Sequence, residues 1–426
     1  MRSIPYRPSS ALAGGVLVYA GRMGRAVLGF GINVLVARWL GPGGFGLFWL
    51  FLVTVIIGQS VLGEGFDPGV VRYYAHRARH EPDRAGRVLS SALVMRLGIG
   101  VPGVLLGLVA VGWFGGTSGG GVDPDSLRAL RLGIVGALGG ALWSFVLTVL
   151  QARKDFATHA AATPVLNVAR LIGIGVVVAL GPLTVRALLL SHVVALYACA
   201  LAGLWWLRDV VLGAAPSRST MREILAFSVW TGVANVCFLA QSYLAVPVLD
   251  HLGGAASAGL FGAGATLLLA GEHLVVTILT VQLPRLSELV GRDAYAGHIR
   301  RALPWYAGSA LVLSPIALLA EPIVLLVYGP AYAPAADVFR LLFIGFLATL
   351  VTHPLYLVFY AMDRPQLYTA SALVSSLGWI VAAIVLIPPL GAVGAAWATL
   401  VARLAQGAVI GALLWWLLGR RPAWPV

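Results

Sequence analysis

Charge is what this sequence has least of. Only 11% of its 426 residues are Asp, Glu, Lys or Arg, against roughly a quarter in soluble globular chains. A water-facing surface cannot be built from so few, which excludes a soluble enzyme and a disordered chain alike. Acids are the scarcer sign, 16 against 29 basic residues, for a net charge of +13. Cysteine is nearly absent: Cys199 and Cys237 both fall in apolar runs, so no disulfide framework is indicated. HExxH, GxSxG, Walker A and CxxC are all missing, as are paired carboxylates at helical spacing. The expectation is therefore no enzyme, no catalytic residue, no cofactor and no metal site. No long polar loop exists either, which argues against an attached soluble domain and against a glycan polymerase with a large catalytic loop.

What is present in quantity is apolar residues, 59% of the chain, with a mean hydropathy of +0.91. A membrane-crossing helix needs about 20 apolar residues. Twelve such runs are expected, at 12–38, 44–66, 88–114, 127–151, 157–180 and 184–207, then 224–249, 257–283, 303–328, 335–361, 367–388 and 393–418. Met1 to Ser10 is polar and leads straight into the first run, without the pattern of a cleavable signal. The basic residues explain themselves by position. Arg72, Arg77, Arg79, Arg84 and Arg87, then Arg153 and Lys154, then Arg208, Arg218 and Arg222 fall in one set of connections. So do Arg2 and Arg7, Arg285 to Arg301, Arg364, and Arg420 with Arg421. The alternate connections, 115–126, 251–256, 329–334 and 389–392, contain no Lys or Arg. Positive loops face the cytoplasm, so both termini are expected there, in a multi-pass protein of the cytoplasmic (inner) membrane. Nucleic acid, the other partner of a basic protein, is not expected. In the outer connection GGTSGGGVDPDS, Asp125–Ser126 reads as a helix N-cap, and the Asp123-Pro-Asp125 pattern has nothing near it to hold a sugar nucleotide.

The chain repeats itself. Leu40-Gly41 is answered by Leu252-Gly253, and Gly46-Leu47-Phe48 by Gly259-Leu260-Phe261. Gly181-Pro182-Leu183 is answered by Pro388-Pro389-Leu390. Two six-helix halves in the same orientation follow, because six crossings return the chain to its starting side. The expected domains are 1–207 and 223–426, joined by a cytoplasmic linker at 208–222. Transporters built from parallel repeats bind near the midplane between halves and rock one against the other.

Polar residues inside the apolar runs are the functional candidates. Arg22 and Arg25 lie one helical turn apart, with Gly29 and Asn33 continuing their face. Asn167 and Arg170 follow in the fifth run, Glu272 and His273 in the eighth, and Arg403 with Gln406 in the last; Asn235 and Gln241 lie in the seventh. Arg96, in the third, is near enough to a helix end to snorkel, and so is Arg22. Gln59 and Glu64 are placed to form part of a gate. Five arginines against Glu272, the one acid well inside a run, leave a surplus of positive charge. Guanidinium pairs bidentately with phosphate, so an anionic head group is the expected ligand of Arg22, Arg25, Arg170, Arg403, Asn33 and Asn167. Glu272 is expected either to couple transport to an ion or to hold a fixed ion pair with Arg25, Arg170 or Arg403.

Four blocks carry a resemblance: GRAVLGFGINVLVARWLGPGGFGLF, VLQARKDFATHAAATPVLNVARL, LPRLSELVGR and IPPLGAVGAAWATLVARL. Together and in this order they resemble the lipid-linked oligosaccharide flippases, the polysaccharide-exporter branch of the multidrug/oligosaccharidyl-lipid/polysaccharide (MOP) superfamily. The resemblance implies an all-α polytopic membrane protein with two six-helix lobes in a V, working by alternating access. It implies as cargo an undecaprenyl-pyrophosphate-linked oligosaccharide, a polysaccharide precursor, moved without ATP hydrolysis. The partners implied are a polyprenyl-pyrophosphate-linked glycan, the lipid bilayer, and the polymerase or glycosyltransferases of the same pathway. Two departures stand out: Gln241-Ser242 is followed by Tyr243 where the family often has Asp, and helix 1 carries arginines where drug exporters often carry an acid. The alternatives are a lipid II or drug exporter of the same superfamily, or a membrane scaffold for cell-envelope assembly.

Overall fold

The computed structural model describes residues 11–117, 123–287, 291–362 and 364–419. The basic termini (Arg2, Arg7, Arg420 and Arg421) and residues 118–122 of the Gly-rich outer loop lie outside them. Among the described residues every element is helical: α1 Ala11–Leu62, α2 Asp67–His80, α3 Pro82–Thr117, α4 Pro124–Ala152, α5 Phe156–Ala162, α6 Val165–Leu180, α7 Val185–Trp206 and α8 Arg208–Val211. Then follow α9 Arg218–Tyr243, α10 Ala245–Ser287, α11 Arg292–Leu313, α12 Pro315–Leu318, α13 Ala320–Tyr328, α14 Ala335–Ala361 and α15 Pro365–Gly419.

Among the described residues, eight helices are long and apolar enough to cross a membrane, or nine if the bent α11–α13 stretch is one span. Part of the difference from the twelve expected runs is merging: 12–38 and 44–66 fall in one long stretch, and 367–388 and 393–418 in another. Leu17–His80 covers 64 residues and Gln366–Leu418 covers 53, each long enough for two passes. The first is interrupted by the 3₁₀ turn Glu64–Phe66, and both bend at a glycine, Gly41 (φ 65°) and Gly391 (φ 54°). Only glycine adopts such a conformation without strain, and Pro42 then opens the second arm as a first-turn proline. The repeat is corrected by one residue at this break. The partner of Gly41 is Gly254 (φ 73°, ψ 171°) and not Gly253, since Gly41 has φ 65° and ψ −179°. The offset of 213 then equals that of Gly46 and Gly259. The N-cap of α4 is also corrected: Asp123, not Asp125, accepts from the Ser126 amide at 3.2 Å.

The chain divides into two compact units, Met1–Leu35 with Leu50–Val236, and Val36–Trp49 with Cys237–Val426. In the first, α4 is the central helix, and Val88, Leu89, Ala92, Phe145, Val149 and Ala200 form its core with α3 and α7. The segment after α7 is held in this unit. Arg77 pairs with Glu223 at 2.6 Å and donates to Thr220 at 2.8 Å, while Ser217 N donates to Ser91 Oγ at 2.9 Å. In the second unit Leu357, Phe359, Ile410 and Leu414 form a core of α14 and α15. The hairpin Val36–Trp49 is built into this unit. Tyr332 Oη donates to the Ala37 carbonyl at 2.9 Å and Arg38 Nε to that of Val327 at 2.7 Å. Gly46 and Gly259 face each other: a methyl on Gly46 would overlap the Ala255 carbonyl, and one on Gly259 the Pro42 carbonyl.

Candidate functional site

The first unit gathers its polar residues around the helix 5 run, which the structure splits. α5 stops at Ala162, Thr163 Oγ1 donates back to the His159 carbonyl at 2.7 Å, and Pro164 opens α6. That new start sets the register in which Asn167 and Arg170, one turn apart, face α1. Asn167 Nδ2 donates to the backbone carbonyl of Arg25 at 2.7 Å, and Arg170 Nη1 donates to Asn167 Oδ1 at 3.1 Å. Gly29 lets Asn167 come close, since a Cβ there would sit 3.3 Å from Nδ2. Asn167 is thus a bridge: it fixes Arg170 to the backbone of α1 and leaves the Arg25 side chain out of the bond. Arg22 and Arg25 are exposed, whereas Asn33, two turns on, is buried. The stripe of α1 therefore runs from open cations into the packed interior, and the buried Asn33 Oδ1 lacks a hydrogen-bond partner among the described residues.

Arg96 does not snorkel. It is 1% exposed, pairs with Asp67, and donates from Nη2 to the Gly63 carbonyl at 3.2 Å. Its guanidinium lies 4.7 Å from the centre of the Phe145 ring, and Asp67 also accepts from Ser144 Oγ at 3.0 Å. Such partners offset the desolvation cost of a charge this deep. Asp67 is the residue that sequence reasoning missed. It follows the 3₁₀ turn Glu64–Phe66 and reads as a loop acid; the one available signal was Pro68, a first-turn proline that opens α2. Gln59 and Glu64 do come together. Glu64 accepts from Gln59 Nε2 at 3.1 Å and from Ser60 Oγ at 2.7 Å.

In the second unit Arg403 Nη2 meets Glu272 Oε1 at 2.6 Å. Of the expected ion-pair partners for Glu272, Arg403 is the one in place. Two of the five arginines thus have their own carboxylate. The positive surplus narrows accordingly, and no described ion pair involves Arg22 or Arg25, both in the first unit. The side chains of Asn235, Gln241 and His273 lie outside what is described. No cluster of three or more His, Cys, Asp or Glu suited to a metal occurs among the described residues.

Set against known proteins, residues 11–290 match the model of the family described as polysaccharide biosynthesis protein. No curated protein sequence matches the chain. Among solved structures, it is similar to the lipid II flippase MurJ in an inward closed conformation, with a TM-score of 0.77 and 16% identity, covering 96% of this chain and 88% of that one. It is similar also to an inward-facing multidrug resistance MATE family transporter of the MOP superfamily, at 0.76 and 15%, covering 95% and 98%. A MOP superfamily transporter from Pyrococcus furiosus, whose binding pocket of reverse polarity suggests a different function, gives 0.62 and 14% over 95% and 94%. At these identities the likeness shows the fold alone, that of an all-helical, multi-pass membrane protein.

Proposed function

Because this chain belongs to the polysaccharide biosynthesis protein family, within a superfamily of flippases and exporters, we propose that it flips a polyprenyl-pyrophosphate-linked oligosaccharide. The cytoplasmic leaflet would be the source and the outer leaflet the destination, with both termini cytoplasmic. The single observation that carries the reading is the bridged cluster of Arg25, Asn167 and Arg170. A cation repels positively charged drugs and attracts a pyrophosphate, whose oxygens a planar guanidinium grips in pairs. Asn167 holds the Arg170 guanidinium in place before cargo arrives, which reduces the ordering cost of binding. Arg22 and Arg25 supply the open positive charge that draws the head group in. The prenyl tail stays in lipid. Arg403, tied to Glu272, would join the head group only when that pair opens, and Gln59–Glu64 would act at the gate. The halves 1–207 and 223–426, linked by 208–222, would alternate access. Lipid II shares the polyprenyl pyrophosphate, so the fold likeness to the lipid II flippase favours it as the second cargo to test.

The test is translocation of a lipid-pyrophosphate glycan in proteoliposomes. A lost charge-assisted contact is worth about 1.5–3 kcal/mol, so Arg170→Ala should weaken cargo affinity ten- to a hundredfold at normal expression. Arg170→Lys, which keeps charge without the fork, should fall between. If Arg25→Ala and Arg170→Ala both translocate at the wild-type rate, the reading fails.

A further inference from the structure

A second site lies in the first unit, on α4, α5 and α7, and the cationic cluster makes no use of it. Trp143, Val146, Ala162, Cys199, Gly203 and Trp206 line a groove of about 400 Å³, within the range of small-molecule sites. Side-chain size creates it. Its largest lining side chains are the indoles of Trp143 and Trp206, and its smallest are Ala162, Ala198, Ala202 and Gly203. A Cβ on Gly203 would already come within 2.8 Å of Val146. The lining offers almost nothing polar, so its occupant is hydrocarbon, and narrow.

Past two of the lining residues, Leu150 and Trp206, the chain turns basic: Arg153, Lys154 and Arg208 follow them within four residues. The Arg208 guanidinium lies 5.2 Å from the centre of the Trp205 ring. The turn after α4 is a Schellman motif: Lys154 N donates to the Gln151 carbonyl at 2.9 Å and Asp155 N to that of Leu150 at 3.0 Å. Its left-handed position is normally glycine. Here it is Lys154, at φ 59°, the one non-glycine residue with positive φ among those described. That conformation is costly for any residue with a Cβ, so the chain carries an amine here against its backbone preference. The acids nearby are occupied. Asp155 caps α5, accepting from Thr158 N at 3.2 Å, and Asp209 lies 3.6 Å from Arg208. No described ion pair involves Arg153 or Lys154.

We propose that this groove holds one acyl chain of an anionic phospholipid, with the lipid phosphate on Arg153 and Lys154. Basic pockets between membrane helices on the side of the positive loops recognise anionic head groups. A zwitterionic lipid has the same chains, but its own ammonium offsets the phosphate. The assignment stands on the groove and the turn, independently of the cargo.

The test uses the full chain in detergent, with binding of phosphatidylglycerol and phosphatidylcholine read by native mass spectrometry and by melting temperature. Phosphatidylglycerol should bind and raise the melting temperature, with at least tenfold preference over phosphatidylcholine. Lys154→Gly relaxes the turn, so its lipid-free melting temperature should equal or exceed wild type while phosphatidylglycerol affinity falls about tenfold. Ala198→Phe, which fills the groove, should abolish the preference; if it does not fold, Lys154→Gly decides alone. Equal binding of both lipids, or wild-type phosphatidylglycerol binding by Lys154→Gly, overturns the proposal. Displacement of phosphatidylglycerol by an equimolar polyprenyl phosphate also overturns it, assigning the groove to the cargo tail.

Discussion

Removing the Asp67 carboxylate tests whether the deep charges of this protein are structural or functional. Asp67→Asn keeps the side chain's size and its contact with Ser144 but removes the carboxylate that Arg96 pairs with, leaving Glu64 as the remaining nearby acid. Arg96 is 1% exposed, so water cannot replace the lost partner. Breaking one side of such a pair typically costs about 3–5 kcal/mol. The Gly63 carbonyl and the Phe145 ring remain; a cation–π contact contributes on the order of 0.5–2 kcal/mol, and both are already present in the wild type, so they do not offset the loss. At about 1.4 kcal/mol per decade, the folded fraction relative to unfolded should fall by roughly two to three orders of magnitude. The reverse change, Arg96→Met, should cost less, because Asp67 keeps Ser144 and its side chain is 21% exposed. Asp67→Asn with Arg96→Met should be milder than Asp67→Asn alone, since no charge is then stranded. The assay is unfolding in mixed dodecylmaltoside–SDS micelles, with each variant's translocation rate measured beside it. An Asp67→Asn protein within about 0.5 kcal/mol of wild type, the usual range for an inconsequential surface change, would refute the buried-pair argument. Normal stability with lost transport would move Asp67 and Arg96 into the transport machinery.

Glu272→Gln, which unpairs Arg403 without changing shape, should reduce transport if the pair opens and closes during the cycle; an unchanged rate across pH and ion gradients would make the pair a fixed strut. Gly46→Ala should destabilise the second unit by about 1–3 kcal/mol through overpacking against the Ala255 carbonyl, read by thermal unfolding, whereas Gly43→Ala, with open space around it, should sit near wild type. A cysteine at 389–392 should react with an impermeant maleimide from outside and one at 208–222 only from inside; labelling of 389–392 from the cytoplasm alone would reverse the orientation.

What the sequence determined by itself was everything that depends on local composition. Twenty apolar residues in a row cross a bilayer whatever else is in the chain, and Arg or Lys in alternate loops orients them. The helical class and the repeat were therefore legible, as was the isolation of a few arginines inside apolar runs. What those arginines touch was not. Arg96 and Asp67 are 29 residues apart, Asn167 and the Arg25 carbonyl 142, and Arg403 and Glu272 131; only packing chooses among such partners. A sequence that shows one deep acid is read as strongly cationic. The fold supplies a second by folding Asp67 back under α3, and the surplus shrinks by the pairs Arg96–Asp67 and Arg403–Glu272. Fine register was also out of reach. Gly253 and Gly254 are equally good breaks on paper, as Asp123 and Asp125 are equally good caps. The choice fell to φ at one residue and to one amide at 3.2 Å, because backbone geometry at a helix end is set by where the neighbouring helix must go. The groove beside Lys154 is the clearest case: no property of Trp143, Gly203 or Trp206 taken singly predicts a cavity, which exists only where three helices meet with small residues between two large ones.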